Sequence, residues 1–417
     1  MRFIFKIIPQ PVKNLGHLGL ALLANIRYGF PGRKLSVIGV TGTNGKTTTA
    51  QMIARILERV GYKTAFATTV NFCIGDREWV NASKFTTLSS WKLQKFLAEA
   101  HRAGVTHVVL ETSSHALDQH RVFGVPYLIA VITNVTREHL DYHKTLPRYR
   151  QAKARLFKQA KHAVINADME HPEEFQGLVS GKTVLYSTKE ETADIVAEGI
   201  SLDFHAIEFR VGEIHFRLPL PGLFNIENAL AALGAASLLG IDFSSAREAL
   251  AEMRGVPGRM ELVPNAEGID IIIDYAVTPD AFEKLYASVL PLKIPGTKII
   301  HVFGTCGDRD RGKRPILGDI ASRNADVVIL TNEDPYTEDP ERIIDEVEKG
   351  VTKKKDKEYF RIFDRREAIR KALSLAERGD IVLITGKGAE TSMAWADRRE
   401  PWSERQTIEE TLKELKK

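Results

Sequence analysis

The run Gly42-Thr43-Asn44-Gly45-Lys46-Thr47-Thr48 sets two glycines, a lysine and several hydroxyls at the spacing that wraps a phosphate. Glycines let the backbone curl so that successive N–H groups, and the start of the next helix, face the anion. Lys46 then reaches the terminal phosphates and Thr47 offers its hydroxyl to Mg2+. The strict spacing of such loops asks for glycine at position 40, which is Val40 here. The strand before and the helix after must therefore carry the assignment. Three more residues offer a carboxylate, an imidazole and an amine. Glu111 closes an apolar run and suits a hard cation, although an N-cap role fits it equally. His139 lies between Glu138 and Asp141, where an exposed loop histidine is the plainer reading. Lys153 falls in a helical stretch, where lysine is ordinarily a solvated helix former.

These residues need strands to hold them. Short apolar runs at 35–40, 107–110 and 128–132 each end in polar residues, the last in Thr133-Asn134. Alternation of such runs with helical stretches at 48–60 and 149–157 points to a parallel sheet with crossover helices, whose strand carboxyl ends hold ligands. Residues 193–218 change texture and alternate like antiparallel strands, and 223–239 is an Ala-rich helix. After Gly255-Val-Pro-Gly258, which reads as a linker, the α/β alternation resumes. Apolar runs at 269–273, 298–303, 326–330 and 381–384 lead into Asp274, Gly304, Thr331 and Thr385. The expected architecture is α/β, with an N-terminal basic and apolar extension (1–34), a doubly wound P-loop domain (35–253) and a Rossmann-like C-terminal domain (254–417).

The chain has 417 residues, 43% of them hydrophobic and 27% charged, enough for two or three packed domains. A formal charge of +4 gives little support to nucleic-acid binding. Cys73 and Cys306 are the only cysteines, which excludes a disulfide framework and fits a reducing, cytoplasmic setting. No run of 18 apolar residues exists to cross a membrane. Residues 1–8 are basic and apolar, and 18–26 are apolar again. A helix capping the first domain is the plainer reading; a peripheral helix lying on a membrane, with Arg2, Lys6, Lys13, Arg27, Arg33 and Lys34 beside it, is the sharper one.

Taken in order, Thr41-Gly-Thr-Asn-Gly-Lys-Thr47, Glu111-Thr-Ser-Ser-His-Ala-Leu117, Thr133-Asn134, His139-Leu-Asp-Tyr-His143 and Ala152-Lys153 resemble the Mur ligases. So do Asn225-Ile-Glu-Asn228, Pro257-Gly-Arg-Met-Glu261, Asp274-Tyr-Ala276, Gly307-Asp-Arg-Asp310 and Gly386-Lys-Gly388. The closest resemblance is to the subgroup that adds the third amino acid to UDP-N-acetylmuramoyl-dipeptide in peptidoglycan precursor synthesis. It implies an ATP-dependent acid–amino-acid ligase: ATP phosphorylates the acceptor carboxylate and an amine attacks the acyl phosphate. By this resemblance Lys46 and Thr47 serve ATP and Mg2+, Glu111 and His139 are Mg2+ ligands, and Lys153 is the carbamylated lysine that helps hold a second Mg2+. Asn225 and Asn228 match adenine-side contacts, while Arg259 and Asp274 match contacts to ATP from the C-terminal domain. Thr86, Thr87, Ser113 and Arg121 match the side that holds the muramoyl-peptide acceptor. The amino-acid pocket falls to Asn332, Glu333, Asp334, Tyr336 and Glu390.

The sequence departs from that pattern in four places. About 34 residues precede the P-loop strand, where the subgroup carries a uridine-binding domain. Val277 stands for a histidine in the Asp274-Tyr-Ala-Val277-Thr-Pro279 run, and Ala389 for another after Gly388. Glu333-Asp-Pro-Tyr336 replaces the Asp-Asn-Pro-Arg run that goes with diaminopimelate, which removes a clamp for a distal carboxylate and suits lysine. Two rivals stand beside this reading: a folate-polyglutamating type of ligase, and an ATP-binding scaffold without activity.

Overall fold

The computed structural model describes residues 10–83, 85–253 and 255–415; residues 1–8 of the basic, apolar N-terminus lie outside them. Helix α1 (Gln10–Tyr28) leads to β1 (Ser36–Thr41), buried along its whole length after Ser36. Helix α2 (Lys46–Arg59) follows, earlier in its start than the 48–60 expected from sequence. Then come β2 (Thr64–Ala67), β3 (Asn71–Ile74), β4 (Arg77–Val80), α3 (Ser90–Arg102), β5 (His107–Glu111) and α4 (Ser114–Asp118). β6 (Tyr127–Ile132), α5 (Leu140–His143), α6 (Leu146–Phe157), β7 (Ala160–Asn166), β8 (Thr183–Ser187) and β9 (Ile195–Val196) complete the unit.

Its nine strands lie in the order β4-β3-β2-β5-β1-β6-β7-β8-β9. Pairing is parallel from β2 to β9, and β3 and β4 fold back antiparallel at one edge. In this register Val40 lies beside Glu111, and Thr41 beside Ile132. The P-loop, Glu111 and Thr133 therefore emerge side by side. Alternate residues of β1 feed opposite faces, as the pleat requires. Ile38 and Val40 join a core with α2 and the Ala-rich α7 (Leu223–Leu238), whereas Val37 joins one with α3 and α6.

The alternating segment forms an antiparallel sheet of β10 (Glu198–Leu202), β11 (Ile207–Val211) and β12 (Ile214–Leu218); its first residues, Ile195–Val196, instead extend the large sheet. Helix α8 (Phe243–Ala251) follows α7. Val256 is only 2% exposed and belongs to this first core, so 255–258 is a packed turn rather than a free linker. The second large sheet contains β13 (Glu261–Val263), β14 (Asp270–Asp274), β15 (Ile299–Phe303), β16 (Val327–Leu330), β17 (Tyr359–Arg361) and β18 (Ile381–Thr385). Their order is β13-β14-β18-β15-β16-β17, parallel except at β13. Helices α9 (Pro279–Val289), α10 (Arg314–Asn324), α11 (Pro340–Glu348) and α12 (Arg365–Leu375) cover it. A ribbon of β19 (Ser392–Ala394) and β20 (Arg399–Pro401) precedes the last helix, α13 (Glu404–Glu414). Among the described residues, no helix is long and apolar enough to cross a membrane.

Candidate active site

Gly45 caps α2 with φ at +83°, a conformation that glycine adopts without strain. A Cβ there would also come within 2.3 Å of Asn228 Oδ1, so glycine lets α7 approach the loop. Asn134 fixes the loop from the side: the Asn44 amide donates to Asn134 Oδ1 at 2.9 Å, and the Thr43 amide to the Asn134 carbonyl at 2.9 Å. Lys46 Nζ donates to the Thr43 carbonyl at 2.8 Å. Burial lowers the Lys46 pKa, while the Glu111 carboxylate acts the other way.

Glu111 is 2% exposed, and its oxygens accept from Thr47 Oγ1 at 2.9 Å, the Thr69 amide at 2.7 Å and Thr69 Oγ1 at 3.0 Å. A carboxylate and a hydroxyl side by side at the loop are the hard oxygen donors that Mg2+ prefers, so these residues fit that ion. They would hold it where phosphate charge needs neutralising.

Lys153 is fully buried on α6. Its Nζ donates to the Gly42 carbonyl at 2.6 Å and lies 4.4 Å from the Tyr149 ring centre. Burial, and then the charge of Lys46, hold its pKa well below the ordinary lysine value. The solvated reading of this lysine fails because the α6 face carrying it packs beneath the P-loop. His139 has φ at +57° and meets His115 edge-on at 4.7 Å. Burial foremost, then His115, keeps its ring neutral, the form in which an imidazole can be a metal ligand.

The second sheet closes over this loop. Asn44 Nδ2 donates to Asp280 Oδ2 at 2.8 Å, and Lys284 pairs with Glu227 at 3.1 Å. Arg259 reaches Thr47 Oγ1 at 3.5 Å while its guanidinium stacks 4.6 Å over the Tyr275 ring. Asp274 accepts from the Met260 and Ala276 amides at 2.8 and 2.7 Å, fixing the turn that carries Arg259. Lys313 lies 3.4 Å from Glu138, both nearly buried, and Arg137 lies 3.6 Å from Asp310. Between the two sheets lies a cleft that opens to solvent.

Thr43 to Thr48, Thr86, Glu111, His139, Asn228, Arg259, Asp274, Tyr336 and Glu390 all line that cleft. Gly42 and Lys153 lie directly behind the loop. Asn225 lies under Asn228, donating to the Pro221 carbonyl at 2.7 Å and accepting from Asn228 Nδ2 at 3.0 Å. Thr87, Ser113 and Arg121 form their own cluster beside Glu111. Thr87 Oγ1 donates to the Glu111 carbonyl at 3.0 Å, meets Ser113 Oγ at 3.1 Å, and the Thr87 carbonyl accepts from Arg121 at 2.7 Å. Asn332, Glu333 and Asp334 are buried away from the cleft wall. Glu333 accepts from the Cys306 thiol at 2.8 Å, and Asp334 pairs with Lys387 at 2.7 Å.

Sequence reasoning missed Thr69, Glu138, Arg309 and Lys313 as cleft residues. Their place depends on approaches between segments far apart in the chain. Only the charge-rich Gly307-Asp-Arg-Asp310 motif, which contains Arg309 and ends three residues before Lys313, could have drawn attention to the last two.

Two parallel sheets whose strand tips meet over a phosphate loop define a P-loop α/β enzyme that works between two closing lobes. Comparison with known proteins narrows the class. Residues 40–236 match the Mur ligase middle domain, and residues 258–388 match the Mur ligase glutamate ligase domain. A UDP-N-acetylmuramyl-tripeptide synthetase of Roseiflexus is 41% identical over 434 aligned positions, covering 98% of this chain and 85% of that one. A UDP-N-acetylmuramoyl-L-alanyl-D-glutamate–2,6-diaminopimelate ligase of Clostridium botulinum is 38% identical over 402, covering 95% and 82%. A solved structure of a ligase of the latter name aligns with a TM-score of 0.63 at 34% identity, covering 92% of this chain and 79% of that one. The chain belongs to the Mur ligase family and is an ATP-dependent acid–amino-acid ligase.

Proposed function

We propose that this ligase joins an amino acid to the terminal carboxylate of a UDP-muramoyl-dipeptide, the kind of reaction for which its relatives are named. The observation that carries the reading is the phosphate loop held between Glu111 and Lys153 on one side and Arg259 on the other. Lys46, Thr47 and Arg259 place cationic and hydroxyl groups where a triphosphate would lie, which lowers the cost of gathering charge as the phosphoryl group moves. The acceptor carboxylate takes that group, and the resulting acyl phosphate is open to an amine held from the other lobe. Mg2+ supplies charge neutralisation, and Thr47, Glu111 and His139 are the residues that would hold it. Lys153 serves as a carbamate: the buried amine, in its neutral form, bonds to the carbon of CO2, loses an N–H proton to water and becomes an anion beside the loop. Thr86, Thr87, Ser113 and Arg121 hold the acceptor, and Asn225 and Asn228 the adenine side.

For the amine we propose a diamino acid, lysine rather than diaminopimelate. Arg309 at the cleft wall offers a guanidinium to the α-carboxylate, and Glu390 offers a carboxylate to an ammonium. Tyr336 stands where a diaminopimelate clamp would need arginine. Incubation with Mg·ATP, bicarbonate, UDP-muramoyl-dipeptide and single amino acids, read by phosphate release and product mass, tests both levels. Phosphate that requires the dipeptide and an amine is expected. Silence with every acceptor overturns the acceptor assignment, and faster turnover with diaminopimelate overturns the choice of lysine.

A further inference from the structure

Helix α1 turns a side of small residues and asparagines toward the protein. Ala21, Ala24 and Asn25 are fully buried, Asn25 Nδ2 donates to the Phe123 carbonyl at 2.8 Å, and Asn14 Nδ2 donates to Asp118 at 3.1 Å. The side facing solvent is apolar. Val12, Leu15, Leu22, Leu23 and Ile26 are each 44–69% exposed. At 3.6 residues per turn they share an arc of about 100°, with no charged residue inside it. Gly19 lies in the same arc, and a Cβ added there would meet nothing within 4 Å. This is the reverse of a helix designed for water, in which the outward face is polar.

Charge is distributed to match. Residues 1–34 contain six Lys or Arg and no Asp or Glu, whereas the whole chain is only +4, so the remainder is net acidic. Arg27, Arg33 and Lys34 are exposed at the C-terminal end of the helix. Trp91 is 47% exposed and packs edge-on to Tyr28 at 5.8 Å, which adds the kind of amphipathic aromatic pair found at lipid headgroups.

We propose that the outward face of α1 is a docking surface for an anionic lipid bilayer, with its aliphatic side chains among the acyl-chain ends and the flanking cations at the headgroups. An anionic surface is favoured over a second copy of the chain because pairing two such faces would bring two basic segments together, whereas a bilayer takes up the apolar arc and the cations at once. None of these residues lines the nucleotide cleft, so docking and turnover are separable.

The test is flotation of the full chain with vesicles of phosphatidylcholine alone or mixed equally with phosphatidylglycerol. Each cation near an anionic leaflet contributes about fivefold in partition, so binding to the mixed vesicles should exceed binding to the neutral ones by tenfold or more and fall in high salt. Leu22→Glu/Ile26→Glu should abolish flotation, and Arg33→Ser/Lys34→Ser should weaken it severalfold. Both variants should keep the wild-type circular dichroism and ATP-cleavage rate in solution. Three outcomes overturn the proposal: no flotation of the wild-type chain, equal flotation of the Leu22→Glu/Ile26→Glu variant, or a concentration-dependent dimer by light scattering that the same variant dissolves.

Discussion

At the scale of single residues, Lys153 shows how environment decides chemistry. In an isolated helix its ammonium would face water. Here its nitrogen has a carbonyl and an aromatic ring as neighbours, and burial disfavours the charged form. A lowered pKa enlarges the neutral fraction of the amine, the form that is nucleophilic toward CO2, and that is the support its position lends to the proposed carbamate. Lys153→Ala should lower kcat by about 10²–10³, the usual cost of one preorganised electrostatic group. Short carboxylates should partly restore it, as followed by phosphate release; full activity without them would refute the carbamate. Lys46→Ala should lower turnover at least as far while leaving the circular dichroism unchanged, because its side chain is half-buried and bonds within its own loop, to the Thr43 carbonyl. His301 makes a prediction about stability. It is fully buried between the Tyr286 hydroxyl at 2.7 Å and Thr385 Oγ1 at 2.9 Å. Burial, with Arg365 second, depresses its pKa to about 3. The unfolded chain binds that proton near pH 6.5 and the folded one does not, so stability falls as pH drops below about 6.5. The loss from this group is about 2 kcal/mol at pH 5. Urea midpoints of wild type and His301→Gln should therefore converge on acidification.

At the scale of elements, close backbone approach seats the turn that carries Arg259 against the segment after β18. Gly258, with φ at +67°, lies where an added Cβ would come within 2.1 Å of the Ala389 amide nitrogen and 2.4 Å of the Gly388 carbonyl carbon. Backbone cannot yield as a side chain can, so Gly258→Ala should destabilise the protein by about 2–4 kcal/mol through overpacking and the left-handed strain together. A lowered denaturant midpoint with an unchanged m-value would show it. The strands that carry the site were legible because each is a short buried run ending in chemistry: β1 into Gly42, β5 into Glu111, β14 into Asp274. Strands β2, β3 and β4 were not, being only four residues each. β2 exists because β5 offers it an edge, a tertiary reason, whereas β3 and β4 flank the two-residue turn Gly75-Asp76, a local hairpin signal that sequence reasoning passed over. The apolar pattern of α1 was visible as well, yet periodicity cannot say which face the fold covers. The polar anchors Asn14 and Asn25 decide that by bonding to residues about a hundred positions away. By sequence the 332–334 run falls to the amino-acid pocket, but Lys387 and Cys306 draw Asp334 and Glu333 inward.

At the scale of the whole molecule, the site exists only while the two lobes are together. Loop residues Asn44 and Thr47 take partners from Asp280 and Arg259, and these contacts span more than two hundred positions of chain. Lys313 and Glu138 lie at the seam, with side chains 6% and 10% exposed. Burial raises the Glu138 pKa, and Lys313 is the foremost group opposing that rise. Glu138 directly precedes His139, so the same pair that joins the lobes also sets the backbone from which a metal-ligand candidate projects. Removing the lysine leaves a buried carboxylate with no compensating charge, which costs more than the pair itself contributes. Lys313→Met should therefore shift the molecule toward an open arrangement. The phosphate loop stays intact on its own lobe but loses Arg259, so ATP should still bind, more weakly, while kcat falls by about 10–100-fold, as expected when closure is impaired. Small-angle scattering should show a larger radius of gyration for the variant with nucleotide bound. Glu138→Gln in the same background removes the orphaned charge and should recover part of the compactness; an additive loss in the double variant would show that the two residues act separately.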